Sequence, residues 1–180
     1  MESRSIWFVL FAVTIASFAS GQNGKQSQSV ILPSAARPGV SAALGHDIQR
    51  YGVRNRDGVL STDNGQNLAA DFTPSGVQVH RGNTLWGMRM VAYGYGNDLR
   101  PVDPAPPQAT GNRVEYRRGS LTEWYVNGPL GLEQGFTIAQ PPGGRRGRPL
   151  TVALALSGDF TPHLRRNGHE FDADQPEGRR

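Results

Sequence analysis

Apolar residues change their period along the chain, and each change marks a boundary. Between Pro38 and Tyr51, the residues Val40, Leu44, Ile48 and Tyr51 recur at i, i+4, i+8 and i+11, the spacing of one helix face, and predict a short helical segment over 35–51. Gly45 in its middle costs roughly 1 kcal/mol against alanine. Beyond Tyr51 the period falls to two. Leu68, Ala70 and Phe72 alternate with small or polar residues, Thr73-Pro74-Ser75-Gly76 supplies a turn, and Val77 and Val79 resume the alternation, which is the signature of a hairpin. In Leu85–Tyr95 the same rule sends Trp86, Met88, Met90 and Ala92 to one face and Leu85, Arg89, Val91 and Tyr93 to the other. Gly87, Gly94 and Gly96 mark bulges or close backbone approaches there.

The segment Asp98–Ala109 holds four prolines and is expected to be an extended connecting loop, because proline lacks the ladder donor of a central strand. The densest run of aromatic and β-branched residues follows, from Asn112 to Ile138. Gly119-Ser120 in its middle is a two-residue loop with glycine first, as a type II′ hairpin requires. It fixes a register in which Val114 faces Tyr125, Glu115 faces Trp124, Tyr116 faces Glu123 and Arg117 faces Thr122. Val114, Tyr116, Leu121 and Tyr125 then share one side, and Glu115 and Glu123 lie on opposite faces. Asn127-Gly128-Pro129 breaks the second strand, with alternation recovered at Phe136 and Ile138. Pro141–Pro149 reads as a flexible basic loop, and Leu150, Val152, Leu154 and Leu156 form the clearest strand.

About eight short strands at regular spacing, one short N-terminal helix and no long amphipathic helix predict an all-β fold, an antiparallel β-sandwich over 52–160. The composition agrees: 23 Gly and 13 Pro in 180 residues favour turns over long helices. Residues 161–180 lose the pattern and are expected to be a loose or truncated tail.

The N-terminus changes the picture from fold to location. Met1–Ser20 has a polar start with Arg4, an apolar run from Ile6 to Ala16 and then small residues, the order of a secretory signal peptide. The run is shorter than the roughly 20 apolar residues a membrane-spanning helix needs. Cleavage is expected before Gln22, after the Ala19 and Gly21 pair, or before Ser20, so that 1–21 is a signal peptide and 22–34 a polar, disordered leader. Contact with the membrane is then confined to export, and the expected location is secreted or cell-surface. The chain has no cysteine, which excludes disulfides, thiolate nucleophiles and Cys-ligated metals. A net charge of +4, nearly all arginine with Lys25 the lone lysine, suits weak contact with anionic surfaces and does not require nucleic acid.

Candidate chemistry is thin. No G-x-S-x-G is present, and Ser61, Ser75, Ser120 and Ser157 sit in turn or strand-edge contexts. His46, His80, His163 and His169 are scattered singly, without zinc spacing. Glu115, Glu123 and Glu133 stand among aromatics, the composition of some sugar-cleaving sites. Opposite faces keep Glu115 and Glu123 from flanking one bond, and cross-strand pairing with Arg113, Arg117 and Arg118 is the simpler role. Asp172-x-Asp174 and Asn55-x-Asp57-Gly58 hold fragments of a calcium loop but read as turns. The arginine pairs at 117–118, 145–146, 165–166 and 179–180 are far apart and read as solvated charge. No catalytic, cofactor or metal residue is assigned. Trp86, Tyr93, Tyr95, Trp124 and Tyr125 are candidate ligand residues for a carbohydrate-binding or glycoside-active surface if their rings line one exposed face, against the simpler reading that they fill a core.

The phrases LAADFTPSGVQV, LWGMRMVAYGYG, NRVEYRRGSLTEWYVNGPLGLEQGFTIAQPP and PLTVALALSGDF, between Leu68 and Phe160, resemble the N-terminal domain of exported bacterial proteins that continue into FG-GAP repeats, the integrin-α-like β-propeller. The resemblance implies an extracellular β-domain placed ahead of a calcium-binding propeller, with no functional residue to carry over. No such repeat follows here, so the chain is expected to be a fragment or truncated product. The sequence therefore predicts a non-catalytic, exported accessory module with a structural or adhesive role. Its expected partners are a downstream propeller in a full-length protein and a glycan or surface protein.

Overall fold

Tight loops join most of the strands and impose antiparallel pairing throughout. A computed structural model describes residues 37–65, 67–143, 148–159, 161–164 and 171–174. The expected signal peptide, the polar leader, the middle of the basic loop and most of the tail lie outside the described residues.

The larger sheet is built from β1 (Arg54–Arg56), β2 (Val59–Asp63), β3 (Leu68–Thr73), β4 (Gly76–Arg81) and β5 (Thr84–Tyr95) in that order, with β6 (Asp98–Pro101) also paired to β5 and β11 (Leu150–Gly158) closing the far side. The smaller sheet has the order β10 (Gly131–Ile138), β9 (Leu121–Gly128), β8 (Arg113–Arg118) and β7 (Pro107–Thr110). A separate hairpin joins β12 (Thr161–Leu164) and β13 (Phe171–Asp174). The two larger sheets pack face to face as an antiparallel β-sandwich. Leu68, Ala70, Phe72, Val77, Val79 and Met88 meet Val114, Tyr116, Tyr125 and Leu132 in one core cluster. Met90, Leu121 and Phe136 form a second, with Tyr93, Val152 and Leu154 packed against it. Phe72 and Tyr125 cross the interface edge to face, centroids 5.3 Å apart.

The register expected for the central hairpin is the one observed, with Val114 opposite Tyr125, Glu115 opposite Trp124, Tyr116 opposite Glu123 and Arg117 opposite Thr122. Gly119 has φ +63°, which the first position of a type II′ loop demands. Asn127-Gly128-Pro129 does not break the second strand. Asn127 and Gly128 stay in β9, Gly128 pairs Gly131, and only Pro129-Leu130 form the loop into an unbroken β10.

Three other expectations change. The segment from Asp98 to Ala109 is not wholly a loop, because β6 and β7 form at its two ends. Proline is tolerated in both, since each is an outer strand of its sheet. The alternation in β5 inverts at Val91: Ala153 of β11 faces Ala92 but Leu154 faces Met90, so Val91 is an extra residue in a bulge. Tyr93 therefore joins Met88 and Met90 on the inward face, where simple alternation would send it outward. The helix α1 (Arg37–His46) buries Ser41 and Gly45, while Leu44 and Ile48 stay 52% and 41% exposed. Small residues win that face because the helix lies directly on the end of β9. A Cβ at Gly45 would press on the Asn112 amide and the Asn127 carbonyl, and one at Gly128 would press on Ser41. The apolar residues Val40, Leu44 and Ile48 are too large for that approach. Tyr51 is buried, in a single 3-10 turn after the helix. Among the described residues no helix is long and apolar enough to cross a membrane.

Candidate functional site

Two polar clusters stand out, one closed and one open. The closed cluster grows from β9, whose inward face carries Leu121, Glu123, Tyr125 and Asn127 against the neighbouring strands. The Glu123 carboxylate is 2% exposed and is bonded by the Arg118 guanidinium at 2.8 Å, with the Arg118 side chain only 7% exposed. The Tyr125 hydroxyl donates to Glu123 at 2.7 Å, and the Gln134 amide donates to both at 2.9 Å. Arg118 also lies over the Tyr116 ring and donates to the Asp103 carbonyl. Burial, with the Glu123 charge added to it, pushes the hydroxyls of Tyr125 and Tyr116 well above the ordinary tyrosine range. The Tyr116 hydroxyl donates to the Gly76 carbonyl in the β3–β4 turn, and the Asn127 amide donates to the Tyr51 carbonyl and the Thr62 hydroxyl. These groups are buried and tie one sheet to the other.

Glu115 sits on the other face of the same sheet, bridged by Arg113 at 2.7 Å and Arg117 at 2.9 Å. The Arg113 hydrogen bond, against the opposing effect of desolvation and with help from Arg117, holds its carboxyl below the usual value of 4.5. Glu115 and Glu123 therefore pair with arginines. The expected cross-strand pairing holds only for the Arg118–Glu123 bridge across the hairpin; the two bridges to Glu115 run along β8, where residues two apart share a face.

The five candidate aromatics do not form an exposed row. Trp86 and Tyr93 are half-buried against the two core clusters, Tyr95 is half-buried near the end of β5, and Tyr125 is inside the closed cluster. Trp124 is buried on the opposite face of its sheet from Tyr125, stacked over Gly135 and beneath Arg113, with its indole N–H donating to Thr137.

The open cluster lies on the outer face of the larger sheet. Strand alternation sends Leu60, Ala70, Phe72, Val77 and Val79 inward and turns Ser61, Asp63, Ala69, Asp71 and His80 outward. Cross-strand register then builds two adjacent rows, Arg54–Ser61–Asp71–Gln78 and Asp63–Ala69–His80. Ala69 is short between longer neighbours, and the result is an open recess of about 180 Å³ lined by Arg54, Arg56, Asp63, Asp71 and His80 with Ser61 and Thr62. The hairpin that brings both arginines there turns on Asp57 and Gly58, at φ +51° and +88°, as a type I′ loop requires.

Within the recess the Ser61 hydroxyl donates to Asp71 at 2.6 Å, and the His80 ring bonds the other Asp71 oxygen at 3.1 Å through Nε2. The order of the three is decisive for the chemistry. A nucleophilic serine needs the imidazole between hydroxyl and carboxylate to receive its proton. Here the carboxylate is in the middle, the Ser61 proton is directed at Asp71, and His80 has no path to it. The arrangement instead fixes a half-exposed carboxylate and imidazole beside two guanidinium groups that make no ion pair with other described residues. Among the described residues no three acidic or histidine side chains are gathered as metal ligands. Sequence reasoning left Ser61 and His80 as isolated polar residues. Their meeting was encoded only in the register of β2, β3 and β4.

No family model matches the chain, and no curated protein or solved structure is significantly similar to it.

Proposed function

We propose that this chain is a non-catalytic β-sandwich accessory module of an exported, surface-associated protein, with a structural or adhesive role, and that it makes contact through the open recess on the larger sheet. The observation that carries the reading is the contrast between engaged acids and disengaged arginines. The glutamates of the aromatic hairpin are held by Arg113, Arg117 and Arg118, whereas Arg54 and Arg56, beside the fixed Asp71–His80 pair, have no such partner among the described residues. A guanidinium fork bonds two oxygens of one carboxylate or sulfate group at once, so the ligand class is an acidic polymer that presents one oxyanion at a time. The apolar N-terminal segment supports export, and the resemblance of residues 68–160 to the domain ahead of FG-GAP repeats supports an accessory role. In that reading a β-propeller in a longer protein is the neighbour.

The test is an equilibrium titration of the purified chain with acidic and neutral polysaccharides, repeated with the Arg54→Gln/Arg56→Gln double variant. Binding of acidic polymers alone, weakened at least about tenfold in the variant, supports the reading. Equal binding by the variant, or retention of no acidic polymer, overturns the recess. Turnover of a glycan or ester that disappears in Asp71→Asn overturns the non-catalytic assignment.

A further inference from the structure

The sheet edges of this sandwich are treated very differently from one another. Strand β1 is three residues long and carries Arg54 and Arg56, β6 carries Asp98, Arg100 and Pro101, and β7 begins with Pro107. Each is short, charged or proline-bearing, the usual devices that stop an edge from pairing with another chain. Strand β10, an edge of the smaller sheet, is buried through Phe136. Strand β11 has none of these protections. It runs for nine residues, LTVALALSG, with no charge and no proline, and it is bonded to β5 along one side with no strand on its other side among the described residues. Its inward row is Leu150, Val152, Leu154 and Leu156. The first three are half-buried, and Leu156 is 40% exposed. The apolar face of the sandwich thus continues to an edge that no described residue extends with a further strand.

We propose that β11 pairs antiparallel with β11 of a second copy of this chain, making one continuous sheet across a two-fold axis at Leu154. In a two-fold contact a strand meets its own reversed sequence, so any charge would be repeated on both sides. From Thr151 to Ser157 the sequence of β11 matches its own reversal, with Leu150 opposite Gly158 at each end. Centred on Leu154, the inward row pairs Val152 with Leu156 and Leu154 with itself. The outward row pairs Thr151 with Ser157 and Ala153 with Ala155. Large apolar residues meet large ones toward the core, small residues meet small ones outside, and hydroxyl faces hydroxyl, a favourable cross-strand pairing. No like charges meet in the strand itself. The net charge of +4 per chain opposes association at long range, so added salt strengthens the dimer.

Sedimentation velocity of the purified chain from about 1 µM to about 1 mM, at low and high salt, reads this directly. A dimer that grows with concentration and with salt is the expected result. Ala153→Lys, on the solvent face, is expected to return the chain to monomer with an unchanged far-UV spectrum and urea midpoint. A wild-type monomer throughout this range, or a dimer that Ala153→Lys leaves intact, overturns the proposal. The chain has no cysteine, which gives a second reading that needs no lysine variant. Ala153→Cys mixed with Ala155→Cys is expected to cross-link on oxidation at least about tenfold faster than either mixed with Arg56→Cys at the opposite edge. Equal rates overturn the register.

Discussion

Asp71 and Glu123 are both strand carboxylates that accept a hydroxyl proton at close range and are bonded by a cationic or ionisable side chain, yet they lie in opposite surroundings. Asp71 takes Ser61 and His80 on an open face at 41% exposure, and Glu123 takes Tyr125, Gln134 and Arg118 between the sheets at 2%. Composition does not separate them. What separates them is which way the strand alternation turns each one. Toward the facing sheet, a carboxylate must have every lone pair answered and becomes part of the scaffold. Toward solvent, the same group remains available to a ligand. The difference teaches that a polar cluster among aromatics is not a site by virtue of its residue types.

Breaking the closed cluster on one side should have the largest effect. Arg118→Met leaves a buried carboxylate with only neutral donors, and the expected loss is about 3–5 kcal/mol in urea unfolding. Arg118→Met/Glu123→Leu should recover most of that loss, because an apolar pair of similar volume removes the stranded charge. If the double variant is as unstable as the single one, the charge is not the cause and the cluster matters through shape.

Glu115 is intermediate between the two and tests the comparison through pH. Its folded carboxyl is held below the ordinary 4.5, so its contribution is complete above that value and is lost as pH falls through the lower folded value. Glu115→Gln should therefore destabilise the chain by about 1 kcal/mol at neutral pH, where the bridges to Arg113 and Arg117 are ionic. Below pH 4.5 the gap between wild type and variant should shrink as the wild-type carboxyl is protonated. Urea midpoints followed from neutral to acidic pH check this, and a gap that stays constant with pH would show that the bridges are not what Glu115 contributes.

The sequence made the central hairpin legible down to its residue pairs, since Gly119-Ser120 pins the turn and alternation then assigns every side chain to a face. The same type of loop, with a positive-φ glycine first, recurs at Gly82-Asn83, Gly96-Asn97 and Gly111-Asn112. Reading those loops as turns makes β6 and β7 visible beside their prolines. Two features had no such marker. The bulge at Val91 has no glycine or proline at the extra residue, and it reverses the faces of the β5 positions after it. The buried side of α1 is carried by Ser41 and Gly45, so the apolar period pointed to the wrong face. The recess was hidden for a third reason. Ser61, Asp71 and His80 are each unremarkable in sequence, and only the registers of two successive hairpins put them in contact.

Asp71→Asn should change stability least of the three acids, by about 1 kcal/mol or less, because its partners are half-exposed and water can replace them. Its effect belongs to the recess. Removing the negative charge leaves Asp63 as the acid among the recess-lining residues, so an anionic ligand should bind more tightly, whereas Asp71→Ala should also free Ser61 and His80 and blur the geometry that orients it. Opposite directions in the two variants, read by titration with an acidic polysaccharide, would separate charge from orientation. A stability loss from Asp71→Asn as large as that from Arg118→Met would erase the distinction between the open and the closed carboxylate, since it would mean that Asp71 is also part of the scaffold.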